Sequence, residues 1–260
     1  MNLGEYLTKE KVKSRIDDFL KSSKKIIPKE SGEKLERLSN SLIQDPSNGV
    51  SYLNQLYEFK TQHSLFSLFW RMNRPKIIKD IPFVVKNGVK GCKRVLDIGC
   101  SDGLKTIFYG IECPETQIIG IDRCAGPVKL AKEKAEKYGL KNTEFIRADL
   151  ESICFKPESF DSVIATYVLH ETFDTYFMFE QGIEAVYRFD SQLKEIYRIL
   201  APQGKVLISL KVGNEMAKEI VTGQIMNAAE NANFKEKANF NNNFGKGKNE
   251  TITIHFVYQK

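Results

Sequence analysis

The chain has 260 residues, of which 42% are hydrophobic and 28% charged, with a net charge of +6 at pH 7. These proportions are typical of a soluble globular protein, and the absence of any run of eighteen apolar residues argues against a transmembrane helix. The five cysteines form no C-x-x-C pair and the three histidines are isolated in sequence, which argues against a metal site and predicts reduced thiols in the cytoplasm.

The basic excess lies in the N-terminal third. Residues 1–90 contain 17 Lys and Arg against 10 Asp and Glu, whereas residues 91–260 contain 22 against 23. Apolar residues recur at helical spacing through this segment, which predicts a helical N-terminal extension over 1–90. We expect this extension to cap the pocket of the domain that follows. Because charges of both signs alternate with apolar residues, solvated helix faces are favoured, and a surface that faces nucleic acid or a membrane is the alternative.

The stretch VLDIGCSDGLKT at 95–106 predicts a ligand-binding junction between a buried strand and a helix. Gly99 and Gly103 permit a tight loop, and the helix that starts at Leu104 directs free N–H groups toward it. The spacing is G-x-x-x-G, not the G-x-G-x-x-G of dinucleotide-binding proteins. Asp97, at the end of the strand, suits a cationic ligand group better than a pyrophosphate, which disfavours NAD.

Strands and helices alternate from residue 93 onward, as in a doubly wound parallel sheet. A second strand at 116–122 ends in Asp122, about 20 residues after the glycine loop, where a carboxylate commonly accepts both hydroxyls of a ribose. A third strand at 142–150 runs into Asp149, which is either a ligand-binding residue or the cap of a turn.

The fourth predicted strand, 159–171, ends where the crevice rule for open α/β sheets places a substrate. His170 and Glu171 stand at this end, and histidine titrates near neutrality, so His170 is a candidate general base. The alternative is that His170 packs and hydrogen-bonds locally. An aromatic insertion follows at 172–190, and we expect it to form a substrate wall or to pack as core.

A helix, a Pro/Gly turn and a fifth strand are predicted over 191–210, followed by a helix near 215–231 and a closing antiparallel pair that includes 251–259. The order and spacing of these features resemble the class I S-adenosylmethionine-dependent methyltransferases, most clearly over residues 90–210. Their first motif, apolar-apolar-Asp-x-Gly-x-x-x-Gly, is matched throughout Val95 to Gly103.

The resemblance implies an α/β fold with a doubly wound, seven-stranded Rossmann-like sheet that has one antiparallel strand. It implies S-adenosylmethionine as cofactor, with the acidic residue of the first motif facing its methionine end. The implied cofactor-binding residues are Asp97, Gly99, Cys100, Gly103, Asp122, Arg123, Asp149, Leu150 and Thr166. The expected catalytic residues are Tyr167, His170 and Glu171.

The segment Thr166-Tyr167-Val168-Leu169 lacks the Asn-Pro-Pro-Tyr motif that methylases of base or glutamine amines carry at this place. A DNA adenine or cytosine amine is therefore a poor candidate. The aromatic insertion favours a small-molecule substrate with an apolar or aromatic part. The alternative is an RNA or protein methyltransferase that docks its substrate on the basic helices, and a non-catalytic binding module ranks third. The expected domains are the extension 1–90 and a cofactor-binding domain 91–260.

Overall fold

The computed structural model describes residues 80–169, 182–212, 215–244 and 251–260, together with Glu33, Arg37, Gln55 and Glu58. The strands are β1 (Arg94–Ile98), β2 (Gln117–Asp122), β3 (Thr143–Arg147), β4 (Phe160–Thr166), β5 (Leu200–Val212), β6 (Lys235–Phe244) and β7 (Thr251–Gln259). The helices are α1 (Leu104–Glu112), α2 (Ala125–Lys137), α3 (Gly182–Ile199) and α4 (Glu215–Asn231). A helical segment that includes Asp80 widens into a π-helical turn, Val85–Val89, before β1.

The strands form one mixed sheet in the order β3-β2-β1-β4-β5-β7-β6. Neighbouring strands from β3 to β5 run parallel, and β7 is antiparallel to both β5 and β6. The predicted α/β Rossmann-like architecture is confirmed. Chain order reverses between β1 and β4, where Asp97 is paired with Ile164. This reversal opens a crevice beyond the carboxyl ends of these two strands.

The central strands are apolar on both faces because helices or other segments cover both sides of the sheet. In β1, the side chain of Val95 packs in a cluster with Tyr109 of α1, whereas that of its neighbour Leu96 packs in the cluster with Leu193 of α3. All four side chains are fully buried. A third cluster joins α1 and α2 over the edge strand β3, around Phe145.

Several predicted boundaries were wrong. The third and fourth strands end at Arg147 and Thr166, before the predicted 150 and 171, because a 3₁₀ turn begins at Leu150 and Tyr167 leaves the extended conformation with φ of 61°. Helix α3 begins at Gly182, before the predicted start at 191, because Phe189, Leu193 and Ile196 continue one fully buried helical stripe. Phe189 of the aromatic insertion is therefore core. The expected Pro/Gly turn lies inside β5, which begins at Leu200 and carries an irregularity at Gln203 with φ of 61°. The insertion residues 172–181 lie outside the described residues.

Candidate functional site

The loop between β1 and α1 leaves no room for side chains at its two glycines. Gly99 and Gly103 have φ values of 70° and 76°, in the left-handed region that glycine adopts readily. A Cβ on Gly99 would lie 2.4 Å from Cγ2 of Val168, and one on Gly103 would lie 2.7 Å from the Cβ of Ala131. The loop is therefore pressed between the chain that follows β4 and helix α2.

Asp97 is a buried carboxylate at the floor of the crevice, with 1% of its surface exposed. The hydroxyl of Thr106, in the first turn of α1, donates a hydrogen bond of 2.5 Å to Asp97 Oδ2. Burial raises the pKa of Asp97 to about 6, and the charge of Asp122 adds to this, whereas Lys105 and the Thr106 hydrogen bond oppose it. At neutral pH, a cationic ligand group would stabilise the ionised form of this carboxyl.

Asp122, at the end of β2, fixes the glycine loop relative to α2. Its Oδ2 accepts the backbone N–H of Ser101 at 3.0 Å, and its Oδ1 accepts that of Cys124 at 2.9 Å. A carboxylate offers about four lone-pair sites, so two backbone bonds leave it capacity to accept hydroxyl groups as well. The position and the chemistry both fit the predicted ribose contact.

Asp149, Leu150 and Arg123 lie at the far side of the site, beyond β2 and β3. Asp149 Oδ1 accepts the backbone N–H of Glu151 at 3.1 Å, so this aspartate caps a short 3₁₀ turn, the local alternative considered for it. Leu150 is buried in the main core cluster. The carbonyl of Arg123 accepts a hydrogen bond of 3.1 Å from Nε of Arg147, which joins the ends of β2 and β3.

Lys105 crosses the crevice from α1 to the end of β4. Its Nζ donates to the hydroxyl of Thr166 and approaches the Thr166 carbonyl at 3.4 Å. The same Nζ lies 5.0 Å from the centre of the Tyr167 ring, within the range of a cation–π contact. The ammonium group is thereby held at the point where chain order in the sheet reverses.

Tyr167 follows β4 in a left-handed conformation, with φ of 61°, which is uncommon for a residue with a bulky side chain. Its backbone N–H donates to the carbonyl of Ser209 at 2.8 Å, and its hydroxyl donates to Oδ2 of Asp80. Burial, followed by the charge of Asp80, raises the pKa of Tyr167 well above its ordinary value. The phenol is therefore neutral at physiological pH.

Two groups that are chemically reactive in other settings have structural roles here. The Cys100 thiol is buried, and burial raises its pKa well above the ordinary value, so it is not a thiolate nucleophile. His255 is also buried, bonds to Ser209 Oγ through Nδ1 at 2.8 Å, and has its pKa lowered to about 4 by burial. His255 is consequently neutral and packs against Phe83 at a ring distance of 4.4 Å.

His170 and Glu171 lie outside the described residues, so their predicted role stays a prediction. Within the described part of the chain, no cluster of three or more His, Cys, Asp or Glu could hold a metal ion. Among the same residues, no helix has the length and apolar character needed to cross a membrane.

Sequence reasoning missed three residues that contact the site or its surroundings. Asp80 precedes β1 and is bonded to a tyrosine 87 positions later, a pairing for which the sequence carries no local signal. Glu58 Oε1 accepts the backbone N–H of Gly126, in the first turn of α2, at 3.0 Å. Lys105 had a usable signal, since it lies in the first helical turn directly after the glycine loop.

Asp97, Asp122 and the glycine loop together determine which chemical groups would bind at this site. Asp97 and Asp122 face the two sides of the loop closely enough for each charge to affect the other. This arrangement would repel a pyrophosphate and attract a ligand that carries both positive charge and ribose hydroxyls. S-adenosylmethionine, with its ammonium, sulfonium and ribose groups, fits these residues.

The match to a family model agrees with this chemistry. Residues 90–253 match the model described as a methyltransferase domain, which is more than half of the chain. The protein belongs to this methyltransferase-domain family. The family and the site residues together indicate S-adenosylmethionine as the cofactor, as the sequence predicted.

The chain is similar to two curated proteins that are named as methyltransferases. The chain is 28% identical over 184 residues to a demethylmenaquinone methyltransferase of Lactococcus lactis subsp. lactis, an alignment covering 70% of this chain and 60% of the relative. It is 30% identical over 183 residues to a ubiquinone/menaquinone biosynthesis C-methyltransferase of Geotalea daltonii, covering 69% of this chain and 63% of the relative. The chain thus spans less than two thirds of the length of these relatives.

Solved structures share the fold at low sequence identity. The [4+2]-cyclase SpnF superposes with a TM-score of 0.57 at 17% identity, over 70% of this chain and 80% of that chain. Since this neighbour is named a cyclase, the fold alone does not establish the reaction, which depends on the residues of the site.

Proposed function

We propose that this protein is an S-adenosylmethionine-dependent methyltransferase whose substrate is a small molecule with an apolar ring of the quinone or quinol type. The observation that carries the proposal is the pair Asp97 and Asp122 on either side of the glycine loop, within a chain that belongs to the methyltransferase-domain family. Two relatives named as methyltransferases of quinone biosynthesis support a small apolar acceptor over the alternative of RNA or protein.

Different residues of the chain would bind different parts of the cofactor. Asp97 would accept the ammonium group of the methionine part, Asp122 would accept the ribose hydroxyls, and Asp149 would face the adenine with Leu150 behind it. The positive φ values of Gly99 and Gly103 let the backbone pass close to the ligand. Bound S-adenosylmethionine supplies a methyl group on a positively charged sulfonium, a leaving group that needs no protonation.

The residues after β4 would then align the acceptor and exclude water, since alignment is the main contribution a protein makes to such a transfer. Tyr167 donates its hydroxyl proton to Asp80, and its hydroxyl is also hydrogen-bonded with Thr253. Tyr167 would therefore help to align the acceptor as part of the wall of the site. Removal of a proton from an acidic ring carbon or hydroxyl would fall to His170 or Glu171. These proposed roles extend the sequence-based predictions for Tyr167, His170 and Glu171.

We also propose that residues 1–90 form the helical extension that covers this crevice, beside a cofactor-binding domain over 91–260 with the seven-stranded sheet of the family. Three observations support it. The family match begins at residue 90, Glu58 caps the first turn of α2, and Asp80 holds Tyr167. The cytoplasm remains the expected location.

The proposed activity is tested by incubating the purified protein with S-adenosylmethionine labelled in its methyl group. The acceptors are demethylated quinols, kept reduced, and in parallel a pool of total RNA. Label transferred to the quinol fraction is the expected result. Label transferred to RNA alone would replace the proposed substrate class with the alternative.

A further inference from the structure

Lys105 extends across the crevice that would hold the proposed cofactor. Lys105 is in the first turn of α1, two residues after Gly103, and its Nζ reaches Thr166 on the other side of the crevice. Strands β1 and β4 are direct neighbours, so this ammonium group lies above the strand ends that also hold Asp97. The charge of Lys105 lowers the pKa of Asp97, which places the two groups within electrostatic reach of each other.

The amino-acid end of S-adenosylmethionine carries an α-ammonium and an α-carboxylate on the same carbon. If Asp97 accepts the ammonium, the carboxylate is brought into a region that already contains two acidic side chains, Asp97 and Asp122. A third negative charge there is unfavourable unless a cation is close to it.

Two other cations near the loop are engaged elsewhere. Lys134 of α2 forms an ion pair with Asp102, whose side chain is completely buried. Arg147, at the end of β3, donates to the carbonyl of Arg123 on the adenosine side of the site. Lys105 lies instead on the side of Asp97 and β4, where the methionine part would lie.

We propose that Lys105 Nζ binds the carboxylate of the cofactor's methionine part and so selects ligands that carry an intact amino acid. Thr166 and the ring of Tyr167 position the ammonium group, which can direct three N–H donors. Asp97 and Lys105 together then match the two opposite charges of the amino acid. This proposal rests on the proposed function, since it takes S-adenosylmethionine as the ligand.

The test compares three ligands that differ in the amino-acid part. S-adenosylhomocysteine has both charged groups of the amino acid. Decarboxylated S-adenosylmethionine lacks the carboxylate but carries a methylated, positively charged sulfur, and 5′-methylthioadenosine lacks the whole amino acid, so each ligand is compared only between protein variants. The affinity of each is measured by calorimetry for the wild-type protein and for Lys105→Met. Lys132→Met, at an exposed position of α2, is the control for the loss of one positive charge.

We expect Lys105→Met to weaken S-adenosylhomocysteine about ten- to a hundredfold, the range for a lost charge-assisted hydrogen bond. The affinity of Lys105→Met for methylthioadenosine should stay within about twofold of the wild-type affinity, because this ligand has no carboxylate. Decarboxylated S-adenosylmethionine should bind to Lys105→Met as well as to the wild type, or better. Lys132→Met should match the wild type for all three ligands.

An equal loss for all three ligands in Lys105→Met would mean that Lys105 maintains the loop, and unchanged S-adenosylhomocysteine affinity would exclude the contact. Either result overturns this proposal and leaves the proposed function intact. Failure of the wild-type protein to bind any of the three ligands would overturn the proposed function itself.

Discussion

The hydroxyl of Tyr167 donates a hydrogen bond to Oδ2 of Asp80, and this bond connects the end of β4 to the helical segment that precedes β1. Asp80 has only 4% of its surface exposed, so the bond lies largely out of water. The contact holds Tyr167 in its left-handed conformation at the crevice, next to Thr166 and Lys105. The segment before the sheet therefore helps to form the part of the crevice in which the methyl acceptor is proposed to bind.

Replacing Tyr167 by Phe should lower the free energy of unfolding by about 1–3 kcal/mol, because a buried carboxylate oxygen loses its phenol donor. Urea unfolding measured by circular dichroism tests this, with Tyr138→Phe as the control, since Tyr138 is 61% exposed. A Tyr167→Phe protein as stable as Tyr138→Phe would show that the bond contributes nothing to the fold. Methyl transfer should also fall in Tyr167→Phe.

Gly103→Ala should destabilise the protein more than the strain of a left-handed alanine backbone alone would. The added methyl would lie 2.7 Å from the Cβ of Ala131 and 2.9 Å from the Phe145 ring. Gly139 is a matched control, because its φ of 64° is also left-handed but a Cβ there would have no atom within 4 Å. Equal losses of stability in Gly103→Ala and Gly139→Ala would contradict the described packing.

Asp97 should destabilise the ligand-free protein at neutral pH. Its folded-state pKa of about 6 lies above the ordinary value, so the stability that its neutral form contributes is lost as pH rises from about 4 through 6. Asp97→Asn cannot ionise and should exceed the wild type in unfolding free energy at pH 8 by on the order of 1–3 kcal/mol. Its cofactor affinity should nevertheless fall sharply.

The pH dependence of stability provides the check on this claim. The difference between Asp97→Asn and the wild type should shrink as pH is lowered from 8 to 5, where the aspartate becomes protonated in the folded protein. A constant difference across this range, or a variant that is less stable at pH 8, would contradict the raised pKa.

Deleting residues 1–60 should leave cofactor binding measurable, because the domain that matches the family begins at residue 90. The deletion should abolish turnover, because the crevice would lose the extension proposed to cover it. Calorimetry with S-adenosylhomocysteine shows whether the shortened protein remains folded, and a labelled-methyl assay measures turnover. Full methyl transfer by the shortened protein would make the N-terminal segment a separate module.

Local patterns in the sequence predicted where the glycine loop and the strand-end carboxylates lie, and tertiary pairing determined their other contacts. Asp97, Gly99, Gly103 and Asp122 lie at strand ends and in a tight loop, features that hydrophobic runs and glycine spacing reveal. The contacts of Asp80 and Lys105 depend on which strands become neighbours, information that no single segment contains. The start of α3 was misplaced because Phe189 was counted with an aromatic insertion, expected either as substrate wall or as core, whereas it continues a buried helix face.

Asp122 is the residue on which the proposed cofactor site depends most. The decisive measurement is a calorimetric titration of the wild type, Asp122→Ala and Asp161→Ala with S-adenosylhomocysteine. Asp161 is the control, because its carboxylate also accepts two backbone N–H groups, from Lys93 and Arg94 at 2.8 Å each, but at the start of β1, away from the crevice. We predict binding to the wild type and to Asp161→Ala, and a loss of about 1–3 kcal/mol in Asp122→Ala. Unchanged affinity in Asp122→Ala, or wild-type binding of NAD with similar affinity, would contradict the account.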